Sequence, residues 1–512
     1  MMDETKGYKR RWYALACLNI SLLIIALDNT VLNVAIPSIS TDLGASASDL
    51  QWIIDAYILV FAALLLTMGA IGDRFGRKKI LQAGLMIFGI GSGGAILATS
   101  TEMLIGARAF LGIGAAMIMP STLSILTATF RDPKERAKAI AIWVAAFPVG
   151  MGSGPLISGA LLDHFWWGSV FVINIPVVIA GLIGGYFFIQ ESKDEKSRKP
   201  DSLGVILSIA GLFALVYGII KAGEDGWSNG TVVISLGIAV VLLSAFGWWQ
   251  SYTANPMLPL RFFRNMSFTG ANIALTLVMF SMFSSFFFMT QYFQTVQGYT
   301  PFETGVRILP MAFVSMFFAI NSARVANRIG TKLTVSLGIF LAGCGLVFLS
   351  QVPDVDTEYW VLLIGLCILP AGMGTAMSPA TNSVMGSIPV NKAGVGSAMN
   401  DTTRQVGGAL GIAVLGTVLN GIYLNKIDGL SEQLPMLPDE ALEGIESSIQ
   451  GAHIVAEGIP DPIVSQTIID VADNAFVTGM NDAFFVAFII MMVTSVLTFI
   501  ILPKDVRPAQ ED

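Results

Sequence analysis

Charge is what this 512-residue chain has least of: Asp, Glu, Lys and Arg make up 13% of it, against 54% apolar residues. Soluble domains carry about 25% charged residues, so an ordinary water-facing surface is excluded for most of the protein. Histidine occurs only at His164 and His453, and cysteine only at Cys17, Cys344 and Cys367. All three cysteines fall in apolar segments, and there is no Cys-x-x-Cys, no His-Glu-x-x-His and no phosphate-binding glycine loop. Those absences exclude a disulfide framework, a zinc hydrolase of that type and an ATP-driven motor. The chain does not read as an enzyme, and no cofactor is expected. The net charge of −7 carries little information about partners, since acids and bases are sorted to different segments; a nucleic-acid partner is not expected.

What is present is a long alternation. Mean hydropathy is +0.70, and of 29 lysines and arginines, 24 fall into eight short stretches. These hold Lys6 to Arg11, Arg74 to Lys79, Arg131 to Lys138, Lys193 to Lys199, Arg261 and Arg264, Arg324 to Lys332, Lys392, and Lys504 and Arg507. Every second connection between apolar segments is nearly empty of them. Cytoplasmic loops of membrane proteins hold an excess of Lys and Arg, so the alternation predicts an all-α integral membrane protein with both termini cytoplasmic. A helical span needs about 20 apolar residues. Fourteen are read, near 12–36, 51–72, 80–99, 103–127, 137–162, 166–190, 203–221, 231–251, 267–293, 303–328, 332–351, 358–387, 394–424 and 482–502. The first is too long for a signal-peptide core and belongs with the spans.

Two composition breaks divide the chain. The charged stretch at 191–202 is read as a cytoplasmic linker, and a second break at 252–265 follows the eighth span. This gives an N-terminal six-helix half (1–190), two additional spans (203–251), spans 9–13 (252–424), an outer loop (425–481), and span 14 with its tail (482–512). The two sixes look duplicated. GDRFGRK at 72–78 reappears as ANRIGTK at 326–332, and IGARAFLGIGAAMIMPST at 105–122 aligns without a gap on IGLCILPAGMGTAMSPAT at 364–381. Repeated helical halves around a site near the membrane midplane are a transporter architecture. The loop at 425–481 carries ten acids against one lysine. Apolar residues at helical spacing in 439–458 and 461–479 predict an amphipathic helical hairpin over the outer face, with a solvated disordered loop as the alternative.

Ionisable residues inside spans point to function, because each costs about 2.5–3.5 kcal/mol at a helix centre on insertion scales. They are Asp28, Asp55, Arg108, Asp401 and Arg404. Asp28 lies mid-span among apolar neighbours, a setting that suits a group loading and releasing a proton. Arg108 stays charged, so it is expected to position or tune a nearby carboxyl. Its counterpart in the second half is Cys367. Asp55 is either a plain outer-end acid or a cavity residue. Asp401 and Arg404, three apart on one helix, are expected to form a neutral structural pair. In span 9, Phe280, Met282, Phe283, Phe286, Phe287, Phe288, Met289, Tyr292 and Phe293 read as a mobile cavity lining, with about half of them equally able to face lipid.

GAIGDRFGRKKIL at 69–81 resembles the loop signature of the major facilitator superfamily, and GARAFLGIGAAMIMP at 106–120 its fourth-helix motif. GMGSGPLISG at 150–159 resembles the fifth-helix motif of proton-driven exporters. LDNTVLNVAIP at 27–37, and Trp167, Phe171, Asn174 and Pro176 at their spacing, resemble the fourteen-span drug/proton antiporter branch, as does the acidic outer hairpin. The resemblance covers essentially the whole chain. It implies a 6 + 2 + 6 major facilitator fold and proton-coupled export of lipophilic neutral or cationic compounds, by a monomer in a prokaryotic plasma membrane, with protons as the coupling ion. It also favours a cavity role for Asp55. Asp73 facing helix N-termini and guanidinium groups, with Arg74 and Arg77, is expected to hold one state of the two halves together. Gly69, Gly72 and Gly76 are expected to allow close helix approach and a tight turn. Gly150, Gly154, Pro155 and Gly159 offer a small-residue face on span 5; in the family it is associated with gating, and plain tight packing is the alternative reading. The sequence departs from quaternary-ammonium exporters in lacking several uncompensated acids in span 13 and any acid between 305 and 330, so weak export of dications is expected. A nutrient symporter and a membrane receptor or scaffold are the competing functions. The second is disfavoured by inner loops too short to form an effector region.

Overall fold

The computed structural model describes residues 10–45, 47–162, 164–194, 201–428, 430 and 437–504. Among them lie fourteen helices long and apolar enough to cross a membrane, and no strand. Lipid offers backbone groups no hydrogen-bonding partner, so an apolar chain of this length satisfies them within helices. The first six spans are α1 (Arg11–Leu43), α2 (Ala47–Phe75), α3 (Arg77–Ile96), α4 (Thr101–Thr129), α5 (Pro133–Leu162) and α6 (Ser169–Phe188), the last interrupted at Ile173. Then come α7 (Ser202–Asp225) and α8 (Gly230–Tyr252). The second six begin with α9 (Met266–Gln291), which runs on into a π-helical turn, α10 (Pro301–Ile329), α11 (Thr331–Leu349), α12 (Tyr359–Gly386) and α13 (Ala393–Ile427). The short helices α14 (Asp439–Ser447) and α15 (Ile449–Gly458) precede α16 (Pro462–Ile501).

The duplication read in the sequence is present in three dimensions. Gly76 and Gly330, equivalent in the repeated loop, both have positive φ (+118° and +89°) and cap α3 and α11. In each half the chain leaving the sixth helix returns to that cap: Arg77 N–H donates to the Ser192 carbonyl at 3.0 Å, and Thr331 N–H to the Lys504 carbonyl at 2.8 Å. In the first half α1 packs on α5 and α6, while α4 packs between α2 and α3. In the second, α12 packs on α10 and α11, and α13 on α9 and α16. The halves meet along two seams, α5 with α10 and α2 with α13. The additional pair lies outside one seam only: α7 packs on α2 and α13, while α8 packs almost entirely on α7.

The hairpin of 439–479 differs from expectation in its second arm. The break falls at Ile459–Asp461, but the chain from Pro462 continues without interruption into the membrane as one 40-residue helix. Asp461 caps it and Pro462 opens it, and no further proline follows before the span begins. Position 195–200 of the linker and the terminal basic residues Lys6, Lys9 and Arg507 lie outside the described residues.

Candidate functional site

Five helices of the first half converge on Asp28. The carboxylate, fully buried on α1, takes a hydrogen-bonded ion pair from Arg108 Nη1 on α4 at 2.5 Å. Asn174 Nδ2 on α6 approaches its other oxygen at 3.4 Å and donates to Ser92 Oγ on α3 at 3.0 Å. Arg108 is fixed twice more on α2: Nε donates to the Ile53 carbonyl at 3.0 Å, and its guanidinium sits 4.4 Å from the Tyr57 ring centroid. Asp28 is therefore not a lone carboxyl, and Arg108 is the residue that positions it. A pair this buried holds only while both charges are present; removing one partner costs about 3–5 kcal/mol.

The second set is built differently. Asp401 and Arg404 are both buried, at 0% and 3% exposure. They do not form the expected pair. Asp401 Oδ1 accepts from Asn400 Nδ2 at 3.0 Å while Oδ2 has no partner. Arg404 turns instead to α5, its guanidinium 5.8 Å from the Trp143 ring and 5.6 Å from Phe147, with Nε and Nη1 unpartnered. The spacing permits pairing, but α13 lies on the seam, and the long side chain reaches aromatic rings across it.

Asp55 lies at the α2–α7 contact, not between the halves. It lines a small recess with Gln51, Trp52, Tyr217, Lys221 and Glu224. Its carboxyl is within hydrogen-bonding reach of Glu224, which Lys221 Nζ grips at 2.6 Å and Gln51 also contacts.

At the basic end of the α2–α13 seam, Asp73 accepts from Arg77 Nε and Nη2 at 2.9 and 2.6 Å. It also accepts from the backbone N–H groups of Gly394 and Val395 at 2.8 and 3.0 Å, the first turn of α13. Arg77 Nη2 donates onward to the Val390 carbonyl at 2.7 Å. One carboxylate thus joins a guanidinium of the first half to a helix N-terminus of the second. Gly69 lies where any side chain would meet the Gly394 carbonyl and Ala398. Gly72 is not a point of close approach, since the nearest atom to an added Cβ would be Ser121 Oγ at 3.9 Å. Arg74 does not join the clamp; it stacks over Phe75 at 5.0 Å.

Along α5 the small residues do two jobs. A Cβ at Gly150 would strike Ala26, and one at Gly154 would strike Thr30 Oγ1, both on α1. Toward α10, Pro155 faces Gly305, and Gly159 faces Phe302. Ser158 Oγ donates back to the Gly154 carbonyl at 2.9 Å. Beside this face lies a cavity of about 60 Å³ between the halves, lined among others by Met151, Met282, Phe286, Met311 and Met373. Of the nine span-9 residues proposed as lining, only Met282 and Phe286 reach it. Phe280, Phe288, Met289, Tyr292 and Phe293 are buried in the second half, and Phe287 alone is exposed.

The profile of the Major Facilitator Superfamily matches residues 18–412. The chain belongs to that superfamily. It is 33% identical to the multidrug efflux pump LfrA of Mycolicibacterium smegmatis, over 93% of this chain and 94% of the relative. It is 33% identical to the methyl viologen resistance protein SmvA of Salmonella typhimurium, over 91% and 93%. It is 31% identical to the tetracenomycin C resistance and export protein of Streptomyces glaucescens, over 95% and 90%. Among solved structures, the proton:xylose symporter XylE superposes with a TM-score of 0.60 at 12% identity, covering 97% of this chain and 96% of that one. A superfamily chain with these helices is a multi-pass membrane transporter and not an enzyme.

Several residues of these clusters carry little signal in the sequence. Asn174 stood in a recognised pattern, but nothing in sequence tied it to Asp28. Glu224 could have been suspected from Lys221, a base outside the clusters and three residues away. Trp143 and Phe147, four apart on α5, gave no signal that a guanidinium from α13 would rest on them.

Proposed function

We propose that this transporter exports lipophilic neutral or cationic compounds in exchange for protons. It works as a monomer in a prokaryotic plasma membrane, with the basic loops and both termini cytoplasmic and no cofactor beyond the coupling proton. The observation that carries the reading is the Asp28–Arg108 pair, a carboxylate inside the membrane whose counter-charge cannot lose its proton. Protonating Asp28 removes the ion pair and leaves Arg108 held by Ile53 and the Tyr57 ring, so one proton changes how α1 is tied to α4. The α1 face carrying Thr30 packs on Gly154 of α5, which places this change beside a seam between the halves. Relatives named for drug efflux and antibiotic export support the direction and the substrate class.

One proton crossing about 100 mV releases about 2.3 kcal/mol, and a tenfold concentration ratio costs about 1.4 kcal/mol. A single proton therefore expels a neutral compound more than tenfold. Exchange of one proton for one monocation moves no net charge and is driven by the pH difference alone. The expectation of weak dication export assumed that Arg404 neutralises Asp401. With those two apart, that assumption no longer supports the expectation. One relative is named for resistance to methyl viologen, itself a dication. The test is transport in proteoliposomes with the pH gradient imposed and the voltage clamped. Wild-type protein is expected to concentrate substrate and Asp28→Asn protein to lose that ability; efflux that ignores the pH gradient overturns the reading. For orientation, an impermeant thiol reagent should reach Ile463→Cys but not Lys134→Cys in intact cells.

A further inference from the structure

The second Asp/Arg set poses a physical problem that the proton-coupled reading leaves unsolved. A buried guanidinium without a counter-ion is costly, and buried polar atoms without partners are exceptions that call for a reason. Here Arg404 Nε and Nη1, Asp401 Oδ2 and Asn400 Oδ1 all lack partners. Arg404 has an oppositely charged group three residues away on its own helix, yet it rests on two aromatic rings of the other half. The rings are held in place: Trp143 Nε1 donates to Thr122 Oγ1 at 3.1 Å, and both rings are buried. Next along α5, Pro148 and Met151 open onto the methionine-lined cavity, whose soft side chains adapt to varied apolar shapes.

We infer that Trp143 and Phe147 form the cation subsite of the substrate path and that Arg404 occupies it as a tethered competitor. Two aromatic faces at this separation hold a positive charge by its attraction to the rings, and nothing in that attraction distinguishes a guanidinium from a lipophilic organic cation. When such a substrate takes the rings, Arg404 swings back along α13 to Asp401, and two sets of unpartnered groups satisfy one another. Cation entry is therefore an exchange: the rings always carry one positive charge, and the cost of removing Arg404 is offset only in part by the ion pair it forms. A neutral compound gains nothing from the swap and binds in the apolar cavity alone. The site thus takes lipophilic monocations through the rings and neutral lipophiles beside them. This deepens the export reading and rests on it for the substrate class.

The test uses purified full-length protein in detergent and equilibrium binding of two probes, the lipophilic cation tetraphenylphosphonium and the neutral dye Nile red. Arg404→Gln is expected to tighten tetraphenylphosphonium binding about tenfold, the part of a desolvated cation–ring contact that the ion pair with Asp401 does not repay, with Nile red unchanged. Arg404→Lys keeps the competitor and should stay near wild type. Asp401→Asn should weaken the cation selectively, because Arg404 then has no place to go. Trp143→Leu should weaken it about tenfold, and Phe147→Leu gives the same reading if the Trp143 variant does not fold. Tetraphenylphosphonium binding that is unchanged or weaker in Arg404→Gln, or equal loss of both probes in the ring variants, overturns the inference. No gradient is needed, so this pattern of binding in a protein that fails to concentrate substrate would sink the export reading alone. Coupled transport with no such pattern would sink only the subsite.

Discussion

Each half of the molecule buries an aspartate and an arginine, and the two sets are opposites. Asp28 and Arg108 come from different helices, meet head-on at 2.5 Å, and are completed by α2, α3 and α6 of the same half. Asp401 and Arg404 come from one helix, stay apart, and Arg404 crosses a seam to α5 of the other half. A cluster closed within one rigid half keeps its contacts when the halves rock. A cluster that spans a seam must change partners. On the proposed reading, the first set loads the proton and the second responds to what lies between the halves.

The sharpest way to break that contrast is a pair of double-mutant cycles on thermal unfolding in detergent. Arg108→Ala strands a buried carboxylate and is expected to cost about 3–5 kcal/mol, much of it recovered in Arg108→Ala with Asp28→Asn. The Asp401→Asn and Arg404→Gln cycle should show a coupling near the few tenths of a kcal/mol typical of helical neighbours. Equal couplings would mean the two sets are alike and that Arg404 pairs with Asp401 in solution.

The Asp73 clamp tests the seam itself. Each hydrogen bond to a charged group contributes about 1.5–3 kcal/mol, and two of the four to the Asp73 carboxylate come from the second half. Asp73→Asn weakens both and should shift the population away from the state closed at the basic end by about tenfold or more. Spin labels on α2 and α13 would read this as a longer distance; an unchanged distribution would show that the clamp does not set the state. At Gly154, overpacking against Thr30 should cost about 1–3 kcal/mol and stop turnover in Gly154→Leu. Gly154→Ala should be less severe and partly restored by Thr30→Ala. A Gly154→Leu protein that inserts and transports normally would make this face plain packing.

How much of this was legible in the sequence divides along the same line. Features set by period and composition could be read: fourteen spans, the duplicated halves, and the loop in which Gly76 and Gly330 share a backbone conformation. Asp73's dependence on helix N-termini followed from its motif, although the particular amides, Gly394 and Val395, did not. What could not be read was where long side chains go once several partners compete. Spacing along α13 suggested an Asp401–Arg404 pair, and tertiary packing supplied Trp143 and Phe147 instead. Spacing likewise gave no reason for Asp55 to meet Glu224 of α7, since contact between helices far apart in sequence has no local period.

The smallest effect is expected where neither set reaches, in the hairpin. His453 Nε2 meets Asp473 Oδ1 at 2.7 Å, joining α15 to the N-terminal part of α16, and Asp473 is buried. Two further bonds tie the hairpin down: Tyr423 Oη donates to the Ile445 carbonyl at 2.9 Å, and Gln450 Nε2 to Gln291 Oε1 at 3.0 Å. Replacing His453 by Phe leaves Asp473 short of a partner, at a cost of about 1–3 kcal/mol. Because the remaining bonds persist, the loss should appear as local opening and not as global unfolding. Amide exchange in 439–458 is therefore expected to quicken in His453→Phe, with exchange in α1, α4 and α13 and the rate of coupled transport close to wild type. Exchange that quickens throughout α13 would show instead that the hairpin braces the seam, and the contrast between a closed set and a seam-spanning set would then have to include the hairpin.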